Sequence, residues 1–203
     1  MYKLFLFCVL FSPLLRSQTP VIDSLRNAAA IIKKDTAGVN TLNELAYELS
    51  FENLQQADSF CRVTIQLATQ LNFYKGRSSA YNTLGNSLSD MGKQQEALDA
   101  YFLSVKDKSL INDRKGLATV YSNIGIVYKQ LSKTEKALQY YRKSLQTRIE
   151  LKDEKGIGDS YNNFGSLYRD AGKYDSAVFY HTKALQTRLQ INDSVGVGYS
   201  YNN

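Results

Sequence analysis

Apolar side chains recur along most of this chain at steps of three and four residues. Between residues 115 and 131 they fall at Leu117, Val120, Tyr121, Ile124, Val127 and Tyr128, the spacing of one buried stripe on an α-helix. A short break follows, and Ala137, Leu138, Tyr141, Leu145 and Ile149 then carry a second stripe of the same period. No segment alternates apolar and polar residues as a half-buried strand would, so the chain reads as all-α. Breaks of one kind are Met91-Gly92-Lys93, Leu131-Ser132-Lys133 and Ala171-Gly172-Lys173. Glycine there suits a left-handed residue that closes a helix, and Ser132 with Glu135 suits a capping box that opens the next. Breaks of the other kind carry Asn112-Asp113, Lys152-Asp153 or Asn192-Asp193, followed within four residues by Gly116, Gly156 or Gly196.

The two-stripe unit repeats. With residues 115–154 laid over 155–194, fifteen of the forty positions are identical, among them Lys115, Gly116, Tyr121, Asn123, Gly125, Tyr128, Ala137, Tyr140, Arg148 and Asp153. The same frame fits 75–114 through Lys75, Gly76, Tyr81, Gly85, Lys93 and Ala97. A diverged copy at about 35–74 keeps Leu42, Leu45, Ala46, Leu49 and Ala57, with one residue fewer in its turn. A partial copy covers 195–203 and stops midway through a first helix, which implies that these 203 residues are the N-terminal piece of a longer protein. Gly85, Gly125 and Gly165 return inside helical segments, where glycine costs up to about 1 kcal/mol; a facing helix must need the space. Ala97, Ala137 and Ala177 are expected to supply the other half of that contact. Tyr101, Tyr141 and His181 are expected to fill the gap between neighbouring pairs.

This pattern resembles the tetratricopeptide repeat. The family's aromatic–x–x–Leu–Gly–x–x–Tyr signature stands here as Tyr121, Ile124, Gly125 and Tyr128, and again as Tyr161, Phe164, Gly165 and Tyr168. Its later alanine stands as Ala137 and Ala177, its aromatic as Tyr141, and its second small residue as Ser144 and Ala184. Tyrosine replaces the usual tryptophan, the proline at the repeat end is missing, and the period is forty rather than about thirty-four. Longer-helix variants of this kind are found in kinesin light chains and bacterial regulators. The resemblance implies a right-handed superhelical solenoid of antiparallel helix pairs over 35–203, with copies at 35–74, 75–114, 115–154 and 155–194. It also implies that the first helices line a concave groove that binds protein or peptide.

A finer resemblance rests on Ile22-Asp23-Ser24-Leu25, on Asp35-Thr36, and on the run from Leu42 to Leu49. It points to the exported sensory N-termini of Bacteroidetes-type sensor histidine kinases or transcriptional regulators that carry such repeats. There the repeats precede a membrane helix and a kinase or DNA-binding output. A structural assembly scaffold that self-associates without a signalling output is the alternative.

The start of the chain has a different texture. Met1-Tyr2-Lys3 is followed by an apolar run at 4–15, interrupted only by Ser12 and Pro13, and then by Arg16-Ser17-Gln18. About a dozen apolar residues are too few to span a bilayer, which takes about 20, but suit a secretory signal peptide. Residues 1–18 are therefore read as a signal and 19–34 as a leader helix, which places the chain in the periplasm. A buried N-terminal helix or a membrane anchor is the alternative. Loss of Lys3 and Arg16 with the signal lowers the formal charge from +6 to +4. The remaining lysines and arginines are scattered among carboxylates, which reads as a solvated mixed-charge surface and gives no nucleic-acid stripe or membrane-contacting face.

Chemistry is sparse. The single histidine, His181, stands where sibling copies have Tyr101 and Tyr141, so it reads as a packing residue, and no metal ligand set or nucleophile–base pair accompanies it. Cys61 lies on an apolar helix face and reads as a small core residue. No catalytic residue, cofactor site or metal site is assigned. The remaining candidate is the groove, where Asn82, Asn86, Asn123, Asn162 and Asn163, with Asn202 and Asn203, crowd the first helices despite the modest helix propensity of asparagine. A side-chain amide offers both donor and acceptor, so the row is read as a grip on the backbone of an extended peptide, with Lys129 and Arg169 favouring acidic partners. Drift on a polar face, or local capping of carbonyls, is the alternative.

Overall fold

The computed structural model describes residues 33–201 together with Asn27. The signal segment 1–18, nearly all of the leader 19–34, and Asn202 and Asn203 lie outside the described residues. Helices follow one another without strands in that span: α1 (Thr36–Leu49), α2 (Leu54–Gln70), α3 (Tyr74–Asp90), α4 (Gln94–Leu110), α5 (Arg114–Gln130), α6 (Thr134–Glu150), α7 (Glu154–Asp170), α8 (Tyr174–Gln190) and α9 (Ser194–Tyr201). They form an all-α superhelical solenoid of antiparallel pairs.

From α2 onward the chain keeps a finer beat than the forty-residue repeat: seventeen-residue helices alternate with three-residue turns. Every turn has a left-handed residue at the same place, namely Asn72, Gly92, Asn112, Ser132, Lys152, Gly172 and Asn192. The next amide bonds back to the carbonyl five residues earlier, as Lys93 does to Leu88 and Lys133 to Tyr128, both at 2.8 Å. This arrangement satisfies carbonyls that the helix end leaves without partners. Ser132, expected to cap α6, is instead the left-handed residue closing α5 (φ 56°). α6 begins after Lys133 with no side-chain cap, because the turn needs a residue at positive φ before it needs a cap.

The alternate turns are capped by aspartate. Asp113, Asp153 and Asp193 accept from the amides of Gly116, Gly156 and Gly196 at 2.9, 3.1 and 3.1 Å. These glycines serve space as well: a Cβ on Gly116 would meet the Asp113 carboxylate at 2.0 Å and Lys108 Nζ at 2.5 Å.

Lys108 and its siblings correct the reading of scattered surface charge. Lys108, Arg148 and Arg188 are all buried. Lys108 pairs with Asp113 at 2.8 Å, and Arg148 donates to the Gly156 carbonyl at 2.5 Å and to Ser160 Oγ at 3.0 Å. Arg188 reaches the Gly196 carbonyl at 2.9 Å and Asp159 at 2.7 Å. Each cation joins the end of one pair to the start of the next.

The space left by the helical glycines is filled by rings. A Cβ on Gly85 would meet Tyr101 at 2.5 Å, on Gly125 Tyr141 at 2.4 Å, and on Gly165 His181 at 2.7 Å. Thus Tyr101, Tyr141 and His181 pack inside a pair, where Ala97, Ala137 and Ala177 were expected. A tyrosine is long enough to do more, and the Tyr141 ring also meets Phe164 of the next pair edge-on, with centroids 5.7 Å apart. Cys61 is fully buried, and burial pushes its thiol up to about 12, the behaviour of an inert core residue.

Candidate binding groove

The stack curves toward its first helices. α1 touches α3, α3 touches α5 and α5 touches α7, whereas no comparable contact joins the second helices of neighbouring pairs. The first helices are therefore the inner, crowded wall of the superhelix.

Along this wall Asn82, Asn86 and Asn123 meet one another, while Asn162 and Asn163 meet other polar side chains. The Asn123 amide donates to the carbonyl oxygens of Asn82 and Asn86, both at 3.1 Å. Asn163 repeats the step by donating to Ser122 Oγ at 2.9 Å. Asn86 also accepts from the Tyr101 hydroxyl at 2.7 Å, and Asn162 faces His181 Nδ1 at 3.0 Å. The half-buried Lys129 bonds Asp170 at 3.0 Å, and exposed Arg169 lies 3.5 Å from the same carboxylate; the Lys129 ammonium holds that carboxyl below the usual range. The groove residues thus fall into small polar groups: Asn82, Asn86 and Asn123 with Tyr101, Asn163 with Ser122, Asn162 with His181, and a charged group in which two cations share one anion. Within the described residues, the Asn123 oxygen and the Asn82 amino group make no hydrogen bond. They are the open ends that a bound chain could meet.

At the N-terminal end the wall opens into a cleft of about 280 Å³, lined by Tyr47, Ser50, Phe51, Asn86, Ser89, Asp90, Tyr101, Asn123, Ile126 and Gln130. Two of the expected residues, Asn86 and Asn123, stand in it; the aromatic wall and Asp90 were not anticipated. A sequence signal for them exists in the shortened turn of the first copy. Its left-handed residue is missing, Ser50 ends α1 in right-handed geometry, and Phe51 is left 71% exposed beside Tyr47, which is 50% exposed. Their rings meet edge to face at 5.0 Å.

His181 sits behind the wall. The Asn162 oxygen faces Nδ1 of the ring, and among the described residues the buried Nε2 has no hydrogen-bond partner. Burial first, then Arg169 and Arg188, hold its pKa below the ordinary value. The folded state therefore resists the protonation that the unfolded chain accepts. Stability from this residue is complete above the unfolded pKa of about 6.5 and is lost as pH falls from there through the depressed folded value. Replacing His181 with the tyrosine of its siblings should flatten the fall in melting temperature between about pH 7 and pH 5. Equal acid slopes for the two proteins would contradict this.

Among the described residues, no cluster of His, Cys, Asp and Glu could hold a metal ion, and no helix is long and apolar enough to cross a membrane.

Residues 116–190 match the family model described as Tetratricopeptide repeat. No curated protein matches the chain. Among solved structures, BtubC (BKLC) from P. vanneervenii superposes with a TM-score of 0.70 at 24% identity, covering 90% of this chain and 79% of that one. MamA gives 0.62 at 23% identity, with 85% and 91% covered. A Rap protein complexed with Competence and Sporulation Factor gives 0.79 at 15% identity, with 88% and 51% covered. At these identities the likeness is one of fold.

Proposed function

We propose that this tetratricopeptide-repeat protein binds a partner protein by holding an extended segment of it in the concave groove, and that it is the sensory N-terminal part of an exported bacterial signalling protein. The observation that carries the first statement is the cleft on the inner wall, where exposed aromatic rings meet an amide network with open hydrogen-bonding ends. The Rap protein of similar fold, complexed with Competence and Sporulation Factor, is consistent with a groove used for binding. Export and signalling are supported by the charged start, the apolar run at 4–15 and the leader motif. Mass spectrometry of the mature N-terminus tests export, and an intact Met1 in a cytoplasmic fraction would refute it.

Peptides selected from a displayed random library on the wild-type chain test the groove. A variant combining Asn82→Ala, Asn123→Ala and Asn163→Ala should bind them one to two decades more weakly. Because Asn123 and Asn163 also tie neighbouring first helices together, and each such bond is worth about 0.5–1.5 kcal/mol, this variant should also melt a few degrees lower. Affinity is therefore compared well below both transitions. Unchanged affinity would place recognition outside the amide row. The scaffold reading has its own support in Tyr174, Val178 and Phe179, which stand exposed on α8; a ligand-free monomer by sedimentation at micromolar concentration would dismiss it.

A further inference from the structure

The repeat offers an internal comparison at the groove. Near the ends of the first helices, one residue faces a second residue on the next first helix. In the middle of the array these are Ser89 and Gln130, bonded at 3.2 Å. Farther along they are Lys129 and Asp170, an ion pair at 3.0 Å. With allowance for the one residue missing from the turn of the first copy, the corresponding positions of the first two copies are Ser50 and Asp90, forty residues apart, and both line the cleft. Asp90 thus occupies the place of Asp170, and a serine stands at the position that holds Lys129 beside Asp170. No hydrogen bond or ion pair engages the Asp90 carboxylate among the described residues.

Asp90 is also poorly placed for the helix that carries it. It is the last residue of α3, where a negative charge opposes the helix dipole. Lys129 offsets that opposition for Asp170, whereas among the described residues no lysine or arginine pairs with Asp90. Two exposed rings, Tyr47 and Phe51, stand in the same cleft, and Asp90 is the only formal charge among the lining residues. Along α1 and the turn that closes it, residues 36–53 carry Glu44, Glu48 and Glu52 and no lysine or arginine, in a chain of net charge +6.

We propose that the cleft receives an arginine or lysine side chain of the bound peptide, whose cation takes at Asp90 the place that Lys129 takes at Asp170. This rests on the peptide-binding reading above and names the residue class read at that end of the groove. The apolar stem lies along Tyr47 and Phe51 while the charged head stays at the open carboxylate. Ring faces attract a cation, and a planar guanidinium both stacks on rings and grips a carboxylate with two parallel bonds. Arginine is therefore the better occupant. The groove then carries opposite preferences along its length: basic at Asp90, acidic toward Lys129 and Arg169.

The test uses the full chain and four pools of blocked nonapeptides, degenerate except for a central arginine, lysine, norleucine or glutamate, with binding read by fluorescence anisotropy. The arginine pool should bind about tenfold more tightly than the norleucine or glutamate pool, with lysine between, and the gap should narrow as salt is raised. Asp90→Asn should remove the preference for cations while melting no lower than wild type, and Tyr47→Ala with Phe51→Ala should weaken the arginine pool most. If the pools bind wild type equally, or the preference survives Asp90→Asn, this inference falls and the peptide-binding reading stands. If no pool binds the folded chain, both fall.

Discussion

Replacing Gly125 by leucine is expected to force α5 away from α6 and to lower stability by about 1–3 kcal/mol. The first added atom decides the outcome. A Cβ at Gly125 would lie 2.4 Å from two carbons of the Tyr141 ring, and that ring is only 1% exposed, so it has no solvent-facing rotamer into which to retreat. Its far side is already against Phe164, so displacement is passed to the next pair. Gly92→Ala is the control: nothing lies within 4 Å of its Cβ, and only the positive φ of 76° is strained, worth about 1 kcal/mol. Thermal melts should separate the two variants by several degrees, and hydrogen exchange should place the Gly125→Leu loss in α5 to α7, since repeat arrays couple through nearest neighbours. An unchanged melting temperature for Gly125→Leu would refute the packing described.

The second large effect is expected at Arg77. Its Nε and Nη2 donate to the two oxygens of Asp107 at 2.6 and 2.7 Å, pinning α3 to α4. The Asp107 residue is 2% exposed. Arg77→Met keeps most of the volume but strands a carboxylate in the interior, where uncompensated charge is costly. The loss should be about 3 kcal/mol, the low end for a buried pair, because the Arg77 side chain keeps 19% exposure. Adding Asp107→Leu to Arg77→Met should restore most of it, since replacing both partners by apolar groups is often neutral. If the double variant is as unstable as the single one in urea melts, the packing of the arginine stem, and not the charge, holds the two helices.

The candidate site was legible in outline. Asn82, Asn86, Asn123, Asn162 and Asn163 could be placed on the inner wall from periodicity and family resemblance, because a helix face is fixed by residue spacing alone. The bonds that Asn123 and Asn163 make across helices could not be read, because the approach of α3, α5 and α7 brings together residues about forty positions apart in sequence. Ser132 misled because its type suits a cap, whereas the turn geometry demanded a left-handed residue there. Lys108, Arg148 and Arg188 looked like surface charges. Their burial depends on Gly116, Gly156 and Gly196 leaving room across a junction between pairs.

The sequence by itself determined what is local and repeated: the helical period, the forty-residue unit, the closing glycines, and the sites where a facing helix needed a missing side chain. These follow from backbone sterics and from one chain's own spacing of apolar groups. The tertiary structure alone decided which side chain fills each gap, which charges are buried and paired, and which carboxylate is left open. Those outcomes depend on helices meeting across turns, where a single deleted residue in the first copy exposes Phe51 and a serine opposite Asp90 leaves a charge without its counterpart. Such differences between copies are small in sequence and large in energy, because a buried or unpaired charge is judged by its neighbours and not by its own identity.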